Sequence, residues 1–222
     1  MNYRHEYKHE INTSDMMAVR HRLRAVAEPD EHAADGRYFI RSLYFDNCSD
    51  KVLREKIDGV NHREKFRIRY YNHDISLLHL EKKSRQNGLS AKSVTSLTAE
   101  EAQLIAQNQI DFMRLSDRPL VQELYCKMRS QGLFAKTIVD YTREAFVYAP
   151  GNVRVTLDYN IRTALCCTDF LNSGCVTIPI PVECILEVKW DSFLPSVIRD
   201  AVQLTGRHSS SFSKYAACRI YG

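Results

Sequence analysis

The sequence predicts an antiparallel α+β fold: about eight strands forming a β-barrel that is not packed solid, with helices packed outside. Three observations lead there. Strand-like segments are joined by hairpin turns, helix-forming segments fall between some of them, and several strands carry a charged residue at every second position. Side chains alternate across a strand, so that pattern gives each strand one apolar and one charged face. Between Arg63 and Tyr71, the residues Arg63, Lys65, Arg67 and Arg69 share one face while Phe66, Ile68 and Tyr70 share the other. The alternation recurs at Arg4/Glu6/Lys8/Glu10, His79/Glu81/Lys83, Arg154/Thr156/Asp158 and Glu187/Lys189. Several cationic rows, each with a carboxylate or two, imply an enclosed site for a polyanion.

In chain order, the first strand runs from about Tyr3 to Ile11. Asn12-Thr13-Ser14-Asp15 then offers side chains that cap a helix carrying Met16, Val19, Leu23 and Val26, which Glu28-Pro29-Asp30 stops. Tyr38 to Asp46 is a strand and Val52 to Asp58 a short helix or turn before Gly59. The cationic strand and a strand over 76–83 form an antiparallel pair around Asn72-His73-Asp74. Gln86-Asn87-Gly88 is a further turn, followed by a short strand over 92–97. Thr98-Ala99-Glu100-Glu101 has the form of a capping box, and Arg118 to Gln131 is a helix with Gly132 as its stop. Strands follow over 136–147, 152–162, near 175–179 and over 184–190. Pro195 to Thr205 closes the fold as a helix ended by Gly206, and a Ser-rich loop leads to Ser213-Lys214-Tyr215.

The 222 residues, 44% of them hydrophobic, suffice for one sizeable domain spanning 1–222. A net charge of +4 does not favour a non-specific nucleic-acid binder; where the cations sit matters more. No apolar run is long enough for a membrane span, and Met-Asn-Tyr-Arg-His-Glu lacks the apolar core of a signal peptide, so the chain reads as soluble and cytoplasmic. Seven cysteines, at no metal-ligand spacing, read as free thiols.

Each motif has a plainer reading beside it. His5-Glu6-Tyr7-Lys8-His9 matches the zinc-protease pattern H-E-x-x-H, which needs a helix to bring both histidines to one face. Here it lies in a strand, which sends the histidines to the side opposite Lys8. A charged alternation is often only a solvated strand face, and an E-x-K pair only a rung of a cross-strand ion-pair ladder. Glu81/Lys83 and Glu187/Lys189 repeat that pair beside the Arg rows. In a phosphate site such a carboxylate holds Mg²⁺ or Mn²⁺, which prefer oxygen ligands, while Lys and Arg neutralise phosphate oxygens.

Taken together, the residues resemble the VTC domain, the polyphosphate polymerase branch of the triphosphate tunnel metalloenzymes, similar in fold to the CYTH proteins. The resemblance covers nearly the whole chain. It is carried by Tyr-Lys-His-Glu at 7–10, Ser-Leu-Tyr-Phe-Asp at 42–46, Lys-Phe-Arg-Ile-Arg-Tyr-Tyr at 65–71, Leu-Glu-Lys-Lys-Ser at 80–84 and Lys-Ser-Val at 92–94. It continues in Asp-Tyr-Thr-Arg-Glu-Ala-Phe at 140–146, Arg-Val-Thr-Leu-Asp at 154–158, Leu-Glu-Val-Lys at 186–189 and Phe-Ser-Lys-Tyr at 212–215.

The resemblance implies an eight-stranded antiparallel tunnel with basic walls that takes ATP and inorganic polyphosphate or triphosphate. Lys8, Arg67, Arg69, Lys83, Lys92, Arg143, Arg154, Lys189 and Lys214 are implied to contact phosphates, and Glu187 to carry Mn²⁺ or Mg²⁺. Lys65 joins them as a phosphate-binding candidate, being in phase with Arg67. Lys8, Arg67, Arg69, Lys83 and Glu187 are the candidate catalytic set. The family often has a basic residue three positions before the lysine matched by Lys214; this chain has Ser211 there. The implied reaction moves the γ-phosphate of ATP to a growing polyphosphate chain and releases ADP. Two alternatives stand beside it: a tripolyphosphatase or nucleoside triphosphatase, with Glu6 or Glu10 orienting water, and a non-catalytic module for polyphosphate or an inositol polyphosphate. Adenylate cyclisation, known in CYTH relatives, is a further outcome. Moving the product across a membrane would need a partner protein, and the oligomeric state is open.

Overall fold

A computed structural model of the chain describes residues 4–31, 33, 36–87, 89–164, 167–206 and 211–221. Its ten strands are β1 (His5–Ile11), β2 (Glu28–Pro29), β3 (Arg37–Asp46), β4 (Arg63–Tyr71), β5 (Asp74–Gln86), β6 (Leu89–Leu97), β7 (Phe134–Tyr148), β8 (Val153–Ala164), β9 (Ile178–Pro179) and β10 (Cys184–Trp190). Six helices accompany them: α1 (Thr13–Val26), α2 (Lys51–Ile57), α3 (Ala99–Ala106), α4 (Pro119–Gln131), α5 (Ser196–Val202) and α6 (Lys214–Tyr221). Eight strands follow one hydrogen-bonded path, β1-β10-β8-β7-β3-β4-β5-β6, with β2 paired to β7 and β9 to β8. The β1/β10, β10/β8, β3/β4, β4/β5 and β5/β6 ladders are antiparallel. The α+β class and the eight-stranded antiparallel sheet are as expected.

Local chemistry accounts for the element ends. Asn12 caps α1 by accepting a hydrogen bond from the Asp15 backbone N–H, and Thr98 with Glu101 forms a reciprocal capping box on α3. Gly132 ends α4 at φ 64°, a left-handed conformation that costs glycine little. In the β4/β5 hairpin, Tyr71 pairs with Asp74 across Asn72 and His73, whose φ values of 49° and 59° are those of a two-residue turn matched to strand twist. Gly88 of the expected 86–88 turn lies outside the described residues, as do Tyr3, Cys166, Ser209 and Ser210.

Three elements depart from the sequence reading. The strand expected near 175–179 is only the two-residue β9. Helix α5 ends at Val202, four residues before Gly206: Gln203 turns extended and Leu204 packs against the buried cluster of Ile198, Ala201 and Val202. A sixth helix, α6, stands where only a loop was expected. Ser213 starts it, its hydroxyl accepting from the Ala216 N–H, and Tyr215, Ala217 and Cys218 are buried.

The chain divides into two compact units, each assembled from three stretches. The first is Met1–Phe39, Tyr141–Ile161 and Pro181–Phe212; the second is Ile40–Asp140, Arg162–Ile180 and Ser213–Gly222. The core of the first gathers Met16, Val19 and Leu23 of α1, Val153, Val155 and Leu157 of β8, and Leu186 and Val188 of β10. The core of the second gathers Phe66, Ile68 and Tyr70 of β4, Leu78 and Leu80 of β5, and Leu120, Val121 and Leu124 of α4. In both, the apolar half of the alternation enters the core, so the charged half must face the other way. Burying side chains of this size stabilises by about 1.5–3 kcal/mol each. That holds the strand register, since a one-residue slip would exchange the two faces.

Inside the second unit, Arg41 forms a bidentate pair with Asp140, at 2.8 Å to each carboxylate oxygen, and donates to the Asn172 carbonyl at 2.6 Å. Burial would disfavour the Arg41 charge, but Asp140 more than restores it and raises its pKa. Among the described residues the six cysteines are free thiols, and no helix is long and apolar enough to cross a membrane.

Candidate functional site

The charged faces are only in part solvent faces: Lys83 and Lys92 are exposed, but the central groups are buried. Arg69 and Glu81 are each 4% exposed, Glu187 is 6% and Asp158 is 0%. A solvated ladder would leave such groups open to water. Buried, they must be paired, because desolvating a lone charge costs several kcal/mol.

In the second unit the register of β4, β5 and β6 sets three rungs across the charged face. Lys65 lies opposite Lys83, which lies opposite Lys92, making a row of three ammoniums. The next rung runs from Tyr44 of β3 through Arg67 to Glu81, and the third from Ser42 through Arg69 to His79. Glu81 is the hub. Its Oε2 accepts from Arg67 Nε at 2.6 Å and lies 3.8 Å from Arg69 Nη1, while its Oε1 accepts from Lys92 Nζ at 2.8 Å. Burial pushes the Glu81 carboxyl up, but Arg67, Arg69 and Lys92 outweigh it and hold its pKa at about 2. Arg69 Nε also donates to Ser42 Oγ at 3.0 Å. A cavity opens on this face, lined by Lys65, Arg67, Glu81, Lys82, Lys83 and Lys92. Arg67, Arg69 and Lys92 thus converge on Glu81 beside the Lys65/Lys83/Lys92 row, and such a concentration of cations attracts anions.

Tyr44 was not among the candidate residues, and Glu81 was singled out only as the carboxylate of an E-x-K pair, not as the centre of an ion-pair cluster. The signal for Tyr44 was its phase: Ser42, Tyr44 and Asp46 alternate along β3, and the first two pair onto Arg69 and Arg67, so the tyrosine joins the charged face. Its hydroxyl accepts from Arg67 Nη1 at 2.9 Å, and its ring lies 5.6 Å from Lys65 Nζ and 5.8 Å from the Arg67 guanidinium carbon. Burial raises the phenol's pKa, yet Arg67, Lys65 and Arg69 together bring it down to about 7. The Tyr215 ring of α6 sits 5.2 Å from it, and the Tyr215 hydroxyl donates to Asp46 at 2.5 Å. Lys214 begins the same helix, and Ser211 is exposed three residues before it.

In the first unit a smaller grid forms. Lys8 of β1 lies opposite Glu187 of β10, which lies opposite Thr156 of β8; beside them run Glu6, Lys189 and Arg154. Glu187 Oε1 is 2.5 Å from Lys189 Nζ and 3.9 Å from Lys8 Nζ, and Glu6 is 2.5 Å from Lys8. Burial lowers the Lys8 pKa, but Glu187 and Glu6 outweigh it, so the ammonium is held charged. Arg143 grips Asp158 with two hydrogen bonds, at 2.6 and 2.7 Å, and Arg154 meets Asp30 and the Tyr38 hydroxyl at 2.7 and 2.8 Å. Lys8, Lys189, Arg143 and Arg154 therefore stand against Glu6, Glu187, Asp158 and Asp30. This face is balanced where the other is cation-rich. The histidines of the H-E-x-x-H string lie with aromatic neighbours: His5 stacks on Trp190 at 5.4 Å and His9 meets Tyr7 edge-on at 5.1 Å.

Glu187 lies against the Lys189 and Lys8 ammoniums. Its cross-strand neighbour Thr156 has a buried Oγ1 with no hydrogen-bond partner. That orphaned oxygen next to a carboxylate suits a hard divalent cation. Among the described residues no group of three His, Cys, Asp or Glu could hold a metal by itself, so phosphate oxygens or water would have to complete the shell. Mg²⁺ is characteristically bound that way, by one or two carboxylates plus substrate phosphates.

The fold is an antiparallel α+β fold with ordered cations and carboxylates on its strand faces. The chain belongs to the VTC domain family, whose model matches residues 3–220. None of the curated proteins compared matches it. Among solved structures it is similar to a putative adenylate cyclase from Bacillus halodurans, at 13% identity and a TM-score of 0.48, covering 85% of this chain and 80% of that one. It is similar to a putative adenylate cyclase from Vibrio parahaemolyticus at 8% identity and a TM-score of 0.44, covering 90% and 82%. A Pyrococcus horikoshii OT3 protein matches at 15% identity and a TM-score of 0.43, covering 90% and 84%. Likenesses this distant say nothing of what this chain binds.

Proposed function

We propose that this VTC-domain protein is a metal-dependent phosphotransferase that extends inorganic polyphosphate at the expense of ATP. The observation that carries the reading is the cation-rich face of the second unit, where Lys65, Lys83 and Lys92 form one row and Arg67, Arg69 and Lys92 converge on the carboxylate of Glu81. A terminal polyphosphate oxygen attacks the γ-phosphorus, forming the new P–O bond. The bond from that phosphorus to the β,γ-bridging oxygen breaks, and ADP leaves with its electron pair.

Such transfer asks the protein mainly for alignment and for neutralising charge on the phosphoryl oxygens. Arg67 and Arg69 supply planar donors whose charge does not titrate, and the lysines supply point charges. Lys8, fixed by Glu6 and Glu187, and Lys189 serve the first unit in the same way. Arg143 and Arg154 are held in place by Asp158 and Asp30, each keeping part of its donor fork for an incoming anion. Glu187 and Thr156 would hold Mn²⁺ or Mg²⁺ together with phosphate oxygens; bound there, the cation would neutralise charge on those oxygens. It would also turn a balanced face into one that accepts anions.

The test is to incubate the protein with ATP and Mn²⁺, resolve products by phosphorus NMR and run a gel for long chains. Growing polymer with ADP supports the reading. Arg67→Ala and Glu187→Ala should each lower turnover by roughly 10²–10³. Turnover unchanged in both variants overturns it. Free phosphate from tripolyphosphate without polymer would make water the acceptor, and binding without turnover would make this a polyphosphate-sensing module.

A further inference from the structure

We propose that the Tyr44 phenol is a built-in competitor for bound phosphate: as phenolate it occupies the charge of Arg67 and Lys65, and as phenol it yields those cations to the anion, so phosphate binding takes up a proton. The proposal rests on the reading that the second unit's cationic face binds phosphate.

The geometry is specific. The Tyr44 oxygen sits 2.9 Å from Arg67 Nη1, in line to accept. Among the described residues its contacts are cations and donors, and none offers an acceptor for its own proton. The groups facing it are Arg67, Lys65 and Arg69 from β4 and Tyr215 from α6. Glu81 is engaged by Arg67, Arg69 and Lys92. Asp46, on the same strand, is taken up by the Tyr215 hydroxyl and by the backbone N–H groups of Asn47, Val52 and Leu53. The ring is buried at 3% exposure and backed by Tyr215, so it cannot swing into water when its charge is no longer needed. A phenolate here completes the neutralisation that Glu81 begins. A phosphate arriving on Arg67 and Lys65 repels that negative oxygen, and the cheapest response is to protonate it.

The sign follows. With the free phenol half-ionised near 7, the fraction ready to accept phosphate falls about tenfold from one pH unit below that point to one above it. Affinity should therefore weaken with rising pH in the wild type. In Tyr44→Phe, which keeps the ring stack and the cation–ring contacts but lacks the ionisable oxygen, that component should vanish.

Two measurements decide. Tripolyphosphate binding is followed by calorimetry for wild type and Tyr44→Phe across that pH interval, in buffers of different ionisation heat. The ligand's own titration is common to both proteins and cancels in their difference. The wild type should lose about tenfold more affinity than the variant and take up more protons on binding. In parallel, the near-ultraviolet tyrosinate absorbance of the wild type is titrated with and without tripolyphosphate; one tyrosine should ionise near neutrality and be driven to higher pH by the ligand. That second measurement needs no variant, so it decides even if Tyr44→Phe folds poorly. Equal pH dependence in the two proteins, or no tyrosine titrating near neutrality, overturns the proposal while leaving the phosphate site standing. A wild type that binds no tripolyphosphate at any pH defeats the phosphate reading itself, and the proposal with it.

Discussion

Glu81 is the residue whose removal says most about the cationic face. Replacing it with Gln keeps the shape and removes the charge. The carboxyl's pKa falls from 4.5 to about 2 in the fold, and every tenfold change in acidity corresponds to about 1.36 kcal/mol. The ionised carboxylate therefore contributes about 3 kcal/mol. Because its folded pKa is depressed, this stability is fully present above about 4.5 and is lost as pH falls through about 2. Glu81→Gln should accordingly lower the unfolding free energy by about 3 kcal/mol at neutral pH. Wild type and variant should converge on acidification across that window. Urea unfolding followed by circular dichroism, repeated at several pH values, measures it. Removing the anion that Arg67, Arg69 and Lys92 share should also strengthen tripolyphosphate binding, and ligand at about 100 times its Kd should restore about 2.7 kcal/mol. A variant as stable as wild type at neutral pH, with a difference that does not change on acidification, would refute the assignment of Glu81 as the hub.

Arg41→Ala breaks a buried bidentate pair and leaves Asp140 charged and alone, so urea unfolding should show a loss of about 3–5 kcal/mol. Gly132→Ala forces a Cβ into the left-handed conformation at the end of α4; a loss of about 1 kcal/mol is expected, read as a lower thermal midpoint.

Much of the fold was legible because its signals are local. Asn12, the Thr98/Glu101 box, the Asn72-His73 turn and Gly132 act within a few residues of themselves, and each ends an element where the sequence says it should. Helix α6 was missed although its cap was in view: Ser213 precedes it and accepts from Ala216 N–H. Eight residues are too few to make a stable helix alone, so α6 depends on burying Tyr215 and Cys218, which no local pattern announces. The premature end of α5 has the same origin, since Leu204 beyond it packs against the buried cluster.

The sequence by itself determined which residues are charged on one face: the period-2 alternation separates Arg67 from Ile68 and Glu187 from Val188 whatever the rest of the chain does. Only the tertiary structure decided which strand lies beside which, and hence that Lys65, Lys83 and Lys92 form one row while Lys8 and Lys189 share Glu187. It also brought Tyr44 of β3 among the cations of β4 and set Asp158 on Arg143. The reason is physical. Alternation is a property of one strand's backbone, but ion pairing depends on register between strands distant in sequence, and register is set by the apolar faces that pack behind them.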